Sequence, residues 1–340
     1  MQIRFIARAC AALLAMGLAA SGADAQNPLS RYRALSLPDC VDVSSMAVQY
    51  EPAPTNRTYM RVQHMGDPGT AELLFQVATP VAWDVGTFTG LFLPQESQRG
   101  YVDASGFSAF QLHCADAGFF INTASFSHSA PLIGQGPNVS VARDFDPPVA
   151  AFASGEALII EADVRVPWAR PRAPPVAEGT AQLGFFLYLR DRTTGTVVAQ
   201  LAGIFDDRPP GLNGSGVEGF GDDGYNGFVS SPLALRDSLG NPVRFITALP
   251  RSAPTQFVKP FAQALRFAAM VTPANFAAAL VQLRESGLRL SMQPTDYEVL
   301  SFGIVGEVIA GTTRVNDVAL GGSVSGLALW GAPARRFARH

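Results

Sequence analysis

The strongest constraint on the fold of this chain is a two-residue alternation of apolar and polar side chains. Within residues 157–166 the even positions are Leu, Ile, Ala, Val and Val, while the odd positions include Glu161, Asp163 and Arg165. Residues 182–190 alternate in the same way. Because successive side chains of a strand point to opposite faces of a sheet, both segments are predicted to be strands buried on one side only.

Many short strands of this kind predict an all-β protein. A polar turn at 191–195 and a return strand at 196–205 predict a hairpin after the second alternating segment. Further strands are predicted at residues 40–49, 58–64, 72–78, 107–114, 118–126, 138–141, 298–310, 313–320 and 324–330. Gly321 and Gly322 are expected to form a turn in a C-terminal meander. The predicted fold class is an antiparallel β-sandwich of the jelly-roll type.

One segment departs from the strand pattern. Thr272 and Pro273 are typical of a helix start, and Gly287 is typical of a helix end. The apolar residues between them recur at helical spacing, and we expect further helical turns just before. Their apolar positions are Phe257, Phe261 and Leu265. Residues 254–287 are therefore predicted to be a helical insertion in the sandwich.

The N-terminus has the three parts of a secretory signal peptide. Arg4 and Arg8 precede an apolar run at 9–20, and residues 23–25 are Ala-Asp-Ala. We expect residues 1–25 to be removed from a protein that is soluble in the periplasm or outside a bacterial cell. Residues 26–330 are expected to form one domain, followed by a basic tail at 331–340. A boundary at Pro147-Pro148 is the alternative to a single domain.

The composition excludes several classes of function. The chain has 340 residues, a net charge of −3 and 48% hydrophobic residues. This high apolar content argues against intrinsic disorder, and the slightly acidic balance argues against nucleic-acid binding. No stretch after the signal is apolar for long enough to span a bilayer as a helix. Cys40 and Cys114 are predicted to form a disulfide in an oxidising compartment, with two free thiols as the alternative.

The polar sides of the two alternating strands form the candidate binding site. If both strands lie in one sheet, their outward side chains mix carboxylates, guanidinium groups, an amide and aromatic rings, which suits sugar hydroxyls and sugar C–H faces. The candidate ligand-binding residues are Glu161, Asp163, Arg165, Gln182, Phe186, Tyr188 and Arg190. The alternative is an ordinary solvated sheet face with cross-strand ion pairs.

A second candidate is the loop at 206–227, which is rich in aspartate and glycine. Asp222, Asp223 and Asn226 are oxygen ligands of the kind that Ca²⁺ prefers. Their spacing does not match an EF-hand, and a turn-rich surface loop is the alternative interpretation. Calcium is therefore the one cofactor that the sequence suggests.

Residues 139–205 resemble the middle of a concanavalin A-like lectin/glucanase jelly roll. The resemblance lies in Val-Ala-Arg-Asp-Phe-Asp-Pro-Pro, in Gly-Glu-Ala-Leu-Ile-Ile-Glu-Ala-Asp-Val-Arg-Val-Pro and in the strand 182–190 with its turn. Residues 297–330 are similar to the closing strands of that superfamily. The resemblance implies two curved antiparallel sheets with glycan ligands on a concave face or on rim loops. It identifies no subfamily, because the superfamily contains binders, hydrolases and lyases.

Glu161 and Asp163 also bear on catalysis, because carboxylates two apart on a strand point the same way. One sandwich-fold glucanase family uses Glu-x-Asp-x-x-Glu on such a strand, but Val166 stands here at the third position. No catalytic residue is therefore predicted. The expected function is a secreted carbohydrate-binding protein without catalytic activity, whose partner is a polysaccharide or glycan. The alternatives are a glycoside hydrolase or polysaccharide lyase on the same fold, and an envelope or surface protein-interaction domain.

Overall fold

The computed structural model describes part of the chain. The described residues are 32–33, 46–51, 57–62, 70–76, 80–83, 99–103, 108–113, 116–123, 138–169, 179–207, 216–219, 227–232, 247–248, 259–310 and 318–333. Side chains are described in the longer of these segments, from residue 108 onward. The predicted signal peptide at 1–25, Cys40 and Cys114 lie outside the described residues, so the predicted cleavage and disulfide stay predictions.

Strands account for most of the described residues. They are β1 (Tyr32–Arg33), β2 (Met46–Glu51), β3 (Arg57–Val62), β4 (Thr70–Gln76), β5 (Pro80–Trp83), β6 (Arg99–Asp103), β7 (Ala109–His113), β8 (Asp116–Asn122), β9 (Asn138–Ala150), β10 (Glu156–Ala169), β11 (Gly179–Asp191), β12 (Val197–Asp206), β13 (Gly216–Gly219), β14 (Gly227–Pro232), β15 (Thr247–Ala248), β16 (Phe261–Val271), β17 (Tyr297–Ala310) and β18 (Ala319–Pro333). One helix, α1 (Pro273–Glu285), follows β16 in this described part of the chain.

The described strands assemble into two large sheets and one hairpin. A nine-stranded sheet has the order β15-β16-β10-β18-β8-β7-β6-β5, with β1 also paired to β18. A seven-stranded sheet has the order β13-β14-β12-β11-β17-β9-β4, and β2 pairs with β3. The pairing of β12 with β14 is parallel, whereas the other pairings that define these sheets are antiparallel. The predicted antiparallel β-sandwich is confirmed, and its two sheets are consistent with a jelly roll.

The core lies between the two large sheets and follows the predicted alternation. The even-numbered residues of β10 from Leu158 to Val166 are buried in it, and so are the odd-numbered residues of β11 from Leu183 to Leu189. Burial of the apolar face of each strand is favourable, and it therefore determines which side of each sheet points inward. The odd side of β10 and the even side of β11 therefore point away from the core.

Helix α1 begins and ends where the sequence predicts. Thr272 is the N-cap, and its side chain and that of Asn275 form a reciprocal capping box. Pro273 occupies the first turn, and Gly287 after the helix has a φ of +101°, which favours glycine. The buried side chains Phe276, Ala279, Leu280 and Leu283 attach the helix to the core.

The predicted helical segment before α1 is wrong, because residues 261–271 form strand β16. Leu265, Phe267, Ala269 and Val271 alternate into the core, and β16 pairs with β10 from Val271 to Phe261. The spacing of Phe261 and Leu265 fits one helical turn, but the period-two pattern that follows outweighs it. Residues 254–258 of the predicted insertion lie outside the described residues.

Gly321 and Gly322 do not form the predicted turn, because β18 runs through both. A Cβ atom on Gly322 would lie 2.8 Å from the carbonyl oxygen of Arg165 and 2.9 Å from the ring of Phe119. The glycine thus permits a close approach of β10 to β18. The predicted C-terminal meander is also wrong, since β17 and β18 belong to different sheets.

Strands also occur in two other segments that the sequence predicts as breaks between strands. Strand β9 continues through Pro147-Pro148, which lie in the irregularity between Asp144 and Val149 where no ladder partner is needed. The segment at 206–227, predicted as a loop, contains strand β13 at Gly216–Gly219. Asp222, Asp223 and Asn226 lie outside the described residues.

Asp191 ties the β11–β12 turn to the segment before β17. Its carboxylate is fully buried and accepts hydrogen bonds from Thr193, Thr194 and the backbone N–H of Ser291, the last at 2.6 Å. Burial raises the pKa of a carboxyl, but the hydrogen bonds from Ser291, Thr193 and Thr194 outweigh burial, so the pKa of Asp191 lies below its ordinary value.

Candidate functional site

The structure divides the predicted ligand-binding residues between two opposite faces. Strand β10 lies in the nine-stranded sheet and β11 in the seven-stranded sheet, and each strand points its apolar side toward the core between them. The premise that both strands share one sheet is therefore wrong. Glu161, Asp163 and Arg165 lie on the outer face of one sheet. The residues on the outer face of the other sheet are Gln182, Phe186, Tyr188 and Arg190.

Phe186 and Tyr188 do not form an exposed aromatic platform. Their side chains are 2% and 5% exposed, and their ring centroids lie 5.1 Å apart. They form a second apolar cluster on the outer side of the seven-stranded sheet. Its other buried members are Ala142, Val197, Ala199, Leu201 and Val305. The prediction that these two rings are exposed and can stack on a sugar is therefore wrong, because both are buried.

The polar residues of β11 are engaged across the seven-stranded sheet. Gln182 donates from Nε2 to Oε2 of Glu307 at 2.8 Å, and Glu307 is buried. Arg190 donates from Nε to Oε1 of Glu298 at 2.6 Å. These contacts match the alternative interpretation of the predicted polar face, namely cross-strand pairs that stabilise a sheet.

Glu161 and Asp163 share one cation that the sequence analysis missed. Arg266 on β16 lies opposite Asp163, and its two terminal nitrogens contact Oε1 of Glu161 and Oδ2 of Asp163 at 2.8 Å each. The side chains of Arg266 and Asp163 are partly exposed, whereas that of Glu161 is mostly buried. The guanidinium holds both carboxylates in fixed positions on the outer face of the nine-stranded sheet.

A bulge in β10 brings a tryptophan onto this same face. Arg165 pairs with Ser323 and Trp168 with Gly321, so β10 has one more residue than β18 over this interval. On a regular strand residue 168 would share the core-facing side of Val166, because the two are two positions apart. Instead the side chain of Trp168 is 42% exposed, with its ring centroid 5.2 Å from that of Phe120.

The ladder pairings order these residues into rows across the sheet. The first row is Phe120, Gly321 and Trp168, the second is Gly118, Ser323 and Arg165, the third is Asp116, Ser325, Asp163 and Arg266, and the fourth is Arg33, Ala328, Glu161 and Ala268. We call these four rows the Trp168 face. Between the aromatic row and the carboxylates, β8 and β18 contribute only Gly118 and Ser323, and both residues are buried.

Three of the predicted ligand-binding residues therefore lie together, but their main neighbours, Trp168 and Arg266, were not predicted from the sequence. Trp168 was missed because it follows Pro167 in a proline-rich stretch that reads as a loop. Arg266 was missed because its strand was assigned to a helix. The one usable signal was the tryptophan itself, a large aromatic ring just beyond an alternating strand.

The described residues provide no metal site. No group of three or more His, Cys, Asp or Glu side chains that could hold a metal ion occurs in the part of the chain that the structure describes. Asp207 accepts hydrogen bonds from Thr180 and from the backbone N–H of Ala181 at 2.9 and 3.0 Å. The calcium site predicted at 222–226 stays a prediction.

Comparisons with known proteins identify no family. No protein-family profile and no curated protein sequence matches the chain. Among the described residues, no helix is long and apolar enough to cross a membrane.

Solved structures with partial similarity include glycoside hydrolases of families 11 and 12. A family 12 xyloglucanase from Bacillus licheniformis is 7% identical with a TM-score of 0.35, covering 85% of this chain and 100% of the enzyme. A cellulase derived from Rhodothermus marinus is 11% identical with a TM-score of 0.32, covering 75% and 99%. The family 11 xylanase from Neocallimastix patriciarum is 9% identical with a TM-score of 0.29, covering 79% and 98%. Similarity at this level carries no argument about the family or activity of this chain.

Proposed function

We propose that this protein binds carbohydrate through the Trp168 face and does not cleave it. The observation that carries the proposal is the exposed ring of Trp168 on the same sheet face as Arg165 and the two carboxylates that Arg266 contacts. Among the described residues, Trp168 and Val281 are the large hydrophobic side chains that are exposed, and Trp168 alone lies on a polar sheet face. An aromatic ring next to hydrogen-bonding groups is the arrangement that packs against the C–H face of a sugar while binding its hydroxyls.

The polar groups of the face suit sugar hydroxyls. Carboxylate oxygens of Asp163, and the remaining oxygen of Glu161, accept hydrogen bonds from hydroxyl groups, and the partly exposed Ser325 both donates and accepts. Arg266 fixes the two carboxylates before a ligand arrives, which reduces the entropy lost on binding. The face is thus organised in advance for a ligand with many hydroxyl groups.

The same contacts argue for binding without cleavage. General acid–base hydrolysis of a glycosidic bond needs one carboxylic acid that gives up a proton and a second carboxylate that acts as base or nucleophile. Glu161 and Asp163 both contact the guanidinium of Arg266 at 2.8 Å, and this ion pairing occupies one oxygen of each carboxylate. We further propose that this binding takes place outside the cytoplasm, which the predicted signal peptide at residues 1–25 supports.

A retention experiment tests the proposal. Purified protein is incubated with insoluble cellulose, xylan and chitin and run on a glycan array. We expect retention on at least one glycan, with affinity about tenfold lower in Trp168→Ala, because removal of the ring takes away a contact worth roughly 1.4 kcal/mol or more. Val281→Ala is the matched control, since Val281 is 41% exposed on helix α1, away from this face. No retention on any glycan would overturn the proposal.

A parallel assay separates binding from hydrolysis. The same glycans are incubated with the protein, and released reducing ends and unsaturated products are measured. We expect neither to rise above the buffer value. Release of product that Glu161→Gln abolishes would replace the binding proposal by a glycoside hydrolase or a polysaccharide lyase.

A further inference from the structure

We infer that the ligand of the Trp168 face lies over strands β10 and β16, and that Gln263 on β16 is one of its binding residues. This inference rests on the proposed function, because it locates the same ligand more closely and adds a residue to the same site. It begins from the exposure of the residues in the second row, to which β10 contributes Arg165.

Access to the second row increases across the sheet toward β16. Gly118 on β8 and Ser323 on β18 are buried, and so is Gln111, which continues the row on β7. Arg165 on β10 is the first residue of this row that is partly exposed. A ligand over the middle of the face therefore contacts β10 and the part of β16 that stands opposite Arg165.

A bulge in β16 stands at this position. Residues 262–264 lie opposite Arg165 alone, so β16 carries two residues more than a regular ladder needs. Phe261 and Leu265 at the two ends of the bulge pack against the core, whereas all three residues between them are exposed. Among the described strands, β10 is the neighbour of β16 at this level, because β15 pairs only with the other end of the strand. Bulges are over-represented at sheet edges and beside active sites, where they redirect side chains.

Gln263 supplies the hydrogen-bonding side chain of the bulge. The residues on both sides of it are alanines, which cannot bond a hydroxyl group through their side chains. The amide of Gln263 both donates and accepts hydrogen bonds, whereas the guanidinium of Arg165 only donates and the carboxylate of Asp163 only accepts. A sugar hydroxyl also donates and accepts, so this amide complements the charged groups of β10 at the exposed end of the row.

Affinity electrophoresis tests the role of Gln263. The unchanged protein, Gln263→Ala and Gln282→Ala are run in gels that contain soluble xylan, hydroxyethyl cellulose or glycol chitin. We expect Gln263→Ala to bind about three- to fivefold more weakly, because one hydrogen bond to the ligand is lost. Gln282 is exposed on helix α1, so Gln282→Ala is the matched control and is expected to bind like the unchanged protein.

The outcomes separate this inference from the proposed function. Equal retardation of Gln263→Ala and the unchanged protein would overturn the inference and leave the proposed function standing. Absence of retardation of the unchanged protein in every gel would overturn the proposed function itself. Because Gln263 is exposed, urea denaturation is expected to give the same free energy of unfolding with and without its amide, which separates a lost ligand contact from a loss of stability.

A shortened strand tests the role of the bulge. Deletion of Gln263 and Ala264 leaves Ala262 alone opposite Arg165, as in a regular ladder. We expect the shortened protein to fold and to bind at least as weakly as Gln263→Ala. Binding as tight as that of the unchanged protein would contradict the placement of the ligand over β16. If the shortened chain does not fold, the comparison of Gln263→Ala with Gln282→Ala decides alone.

Discussion

Phe120 on β8 packs against Trp168 on β10, although these two strands do not pair with each other. The ring centroids lie 5.2 Å apart at an interplanar angle of 41°, and Gly321 on the strand between them has no side chain to separate the rings. Phe120 is only partly exposed, whereas Trp168 is exposed. Phe120 therefore orients a ring that another molecule can contact.

This ring pair predicts that Phe120→Ala weakens glycan binding less than Trp168→Ala does. In Phe120→Ala, Trp168 keeps its exposed ring but loses a ring contact worth about 1 kcal/mol. We expect the dissociation constant to rise roughly fivefold, less than in Trp168→Ala. Isothermal titration with a soluble oligosaccharide measures both values. An effect of Phe120→Ala larger than that of Trp168→Ala would show that the supporting role is misassigned.

Arg266 predicts an effect on stability. Removal of the guanidinium in Arg266→Met leaves the mostly buried carboxylate of Glu161 without this cation, and we expect a loss of about 1–3 kcal/mol in the free energy of unfolding. Urea denaturation at neutral pH measures it.

A double-mutant cycle supplies the control for the Arg266 prediction. Glu161→Gln combined with Arg266→Met is expected to be less destabilising than the sum of the two single changes, because the two groups contact each other. Strict additivity would contradict the coupling that the 2.8 Å contact indicates.

The buried carboxylate of Asp191 predicts a pH dependence. Its pKa lies below the ordinary value, so its contribution to stability is fully present above the unfolded-state pKa, near about 4, and is lost as pH falls through the folded-state pKa. We expect Asp191→Asn to lower the free energy of unfolding by about 1–3 kcal/mol at neutral pH. The reason is that the amide nitrogen cannot accept the hydrogen bonds from Thr193, Thr194 or Ser291.

The control for Asp191 is the same change at an exposed position. The stability gap between Asp191→Asn and the unchanged protein is expected to narrow in acid, when the wild-type carboxylate is protonated. Denaturation curves at neutral pH and near pH 3 measure the gap, and Glu285→Gln is expected to show neither effect. A gap that stays constant between the two pH values would contradict an ionised Asp191.

Gln200 predicts a stabilising substitution. Its side chain is 2% exposed, and neither amide atom has a hydrogen-bond partner among the described residues. It lines a cavity of about 10 Å³ between the sheets with apolar neighbours that include Leu158, Phe185 and Val271. A buried amide without partners is unfavourable. Gln200→Leu is therefore expected to raise the free energy of unfolding by about 1–2 kcal/mol, and the melting temperature with it.

Gln200→Asn is the matched control, since it keeps the amide and shortens the side chain. It is expected to give no gain and to lower the melting temperature. A lower melting temperature for Gln200→Leu would show that the amide contributes a favourable contact.

The sequence predicted the sandwich well because alternation reports directly on burial. Leu158 and its even-numbered neighbours in β10, and Leu183 and its odd-numbered neighbours in β11, are buried as the pattern indicates. The Thr272 cap is equally local, since a capping residue acts within one helical turn. Features that depend on the next few residues could thus be predicted.

The site could not be predicted to the same extent because alternation does not say which sheet a strand joins. It assigned Phe186 and Tyr188 correctly to the side of β11 away from the core, but could not show that this side is buried as well. It also could not show that Arg266 lies beside Asp163, because the two are far apart in the chain and their meeting depends on the pairing of β16 with β10.

The extra residue between Arg165 and Trp168 places two side chains that are three positions apart on one face of the sheet. On a regular strand such residues point to opposite faces, and the tryptophan would then point into the core. Removal of Val166 or Pro167 would leave the two side chains two positions apart, so the tryptophan would keep its face without a bulge. Among related chains, an odd or an even separation of these two residues therefore distinguishes a bulged strand from a regular one.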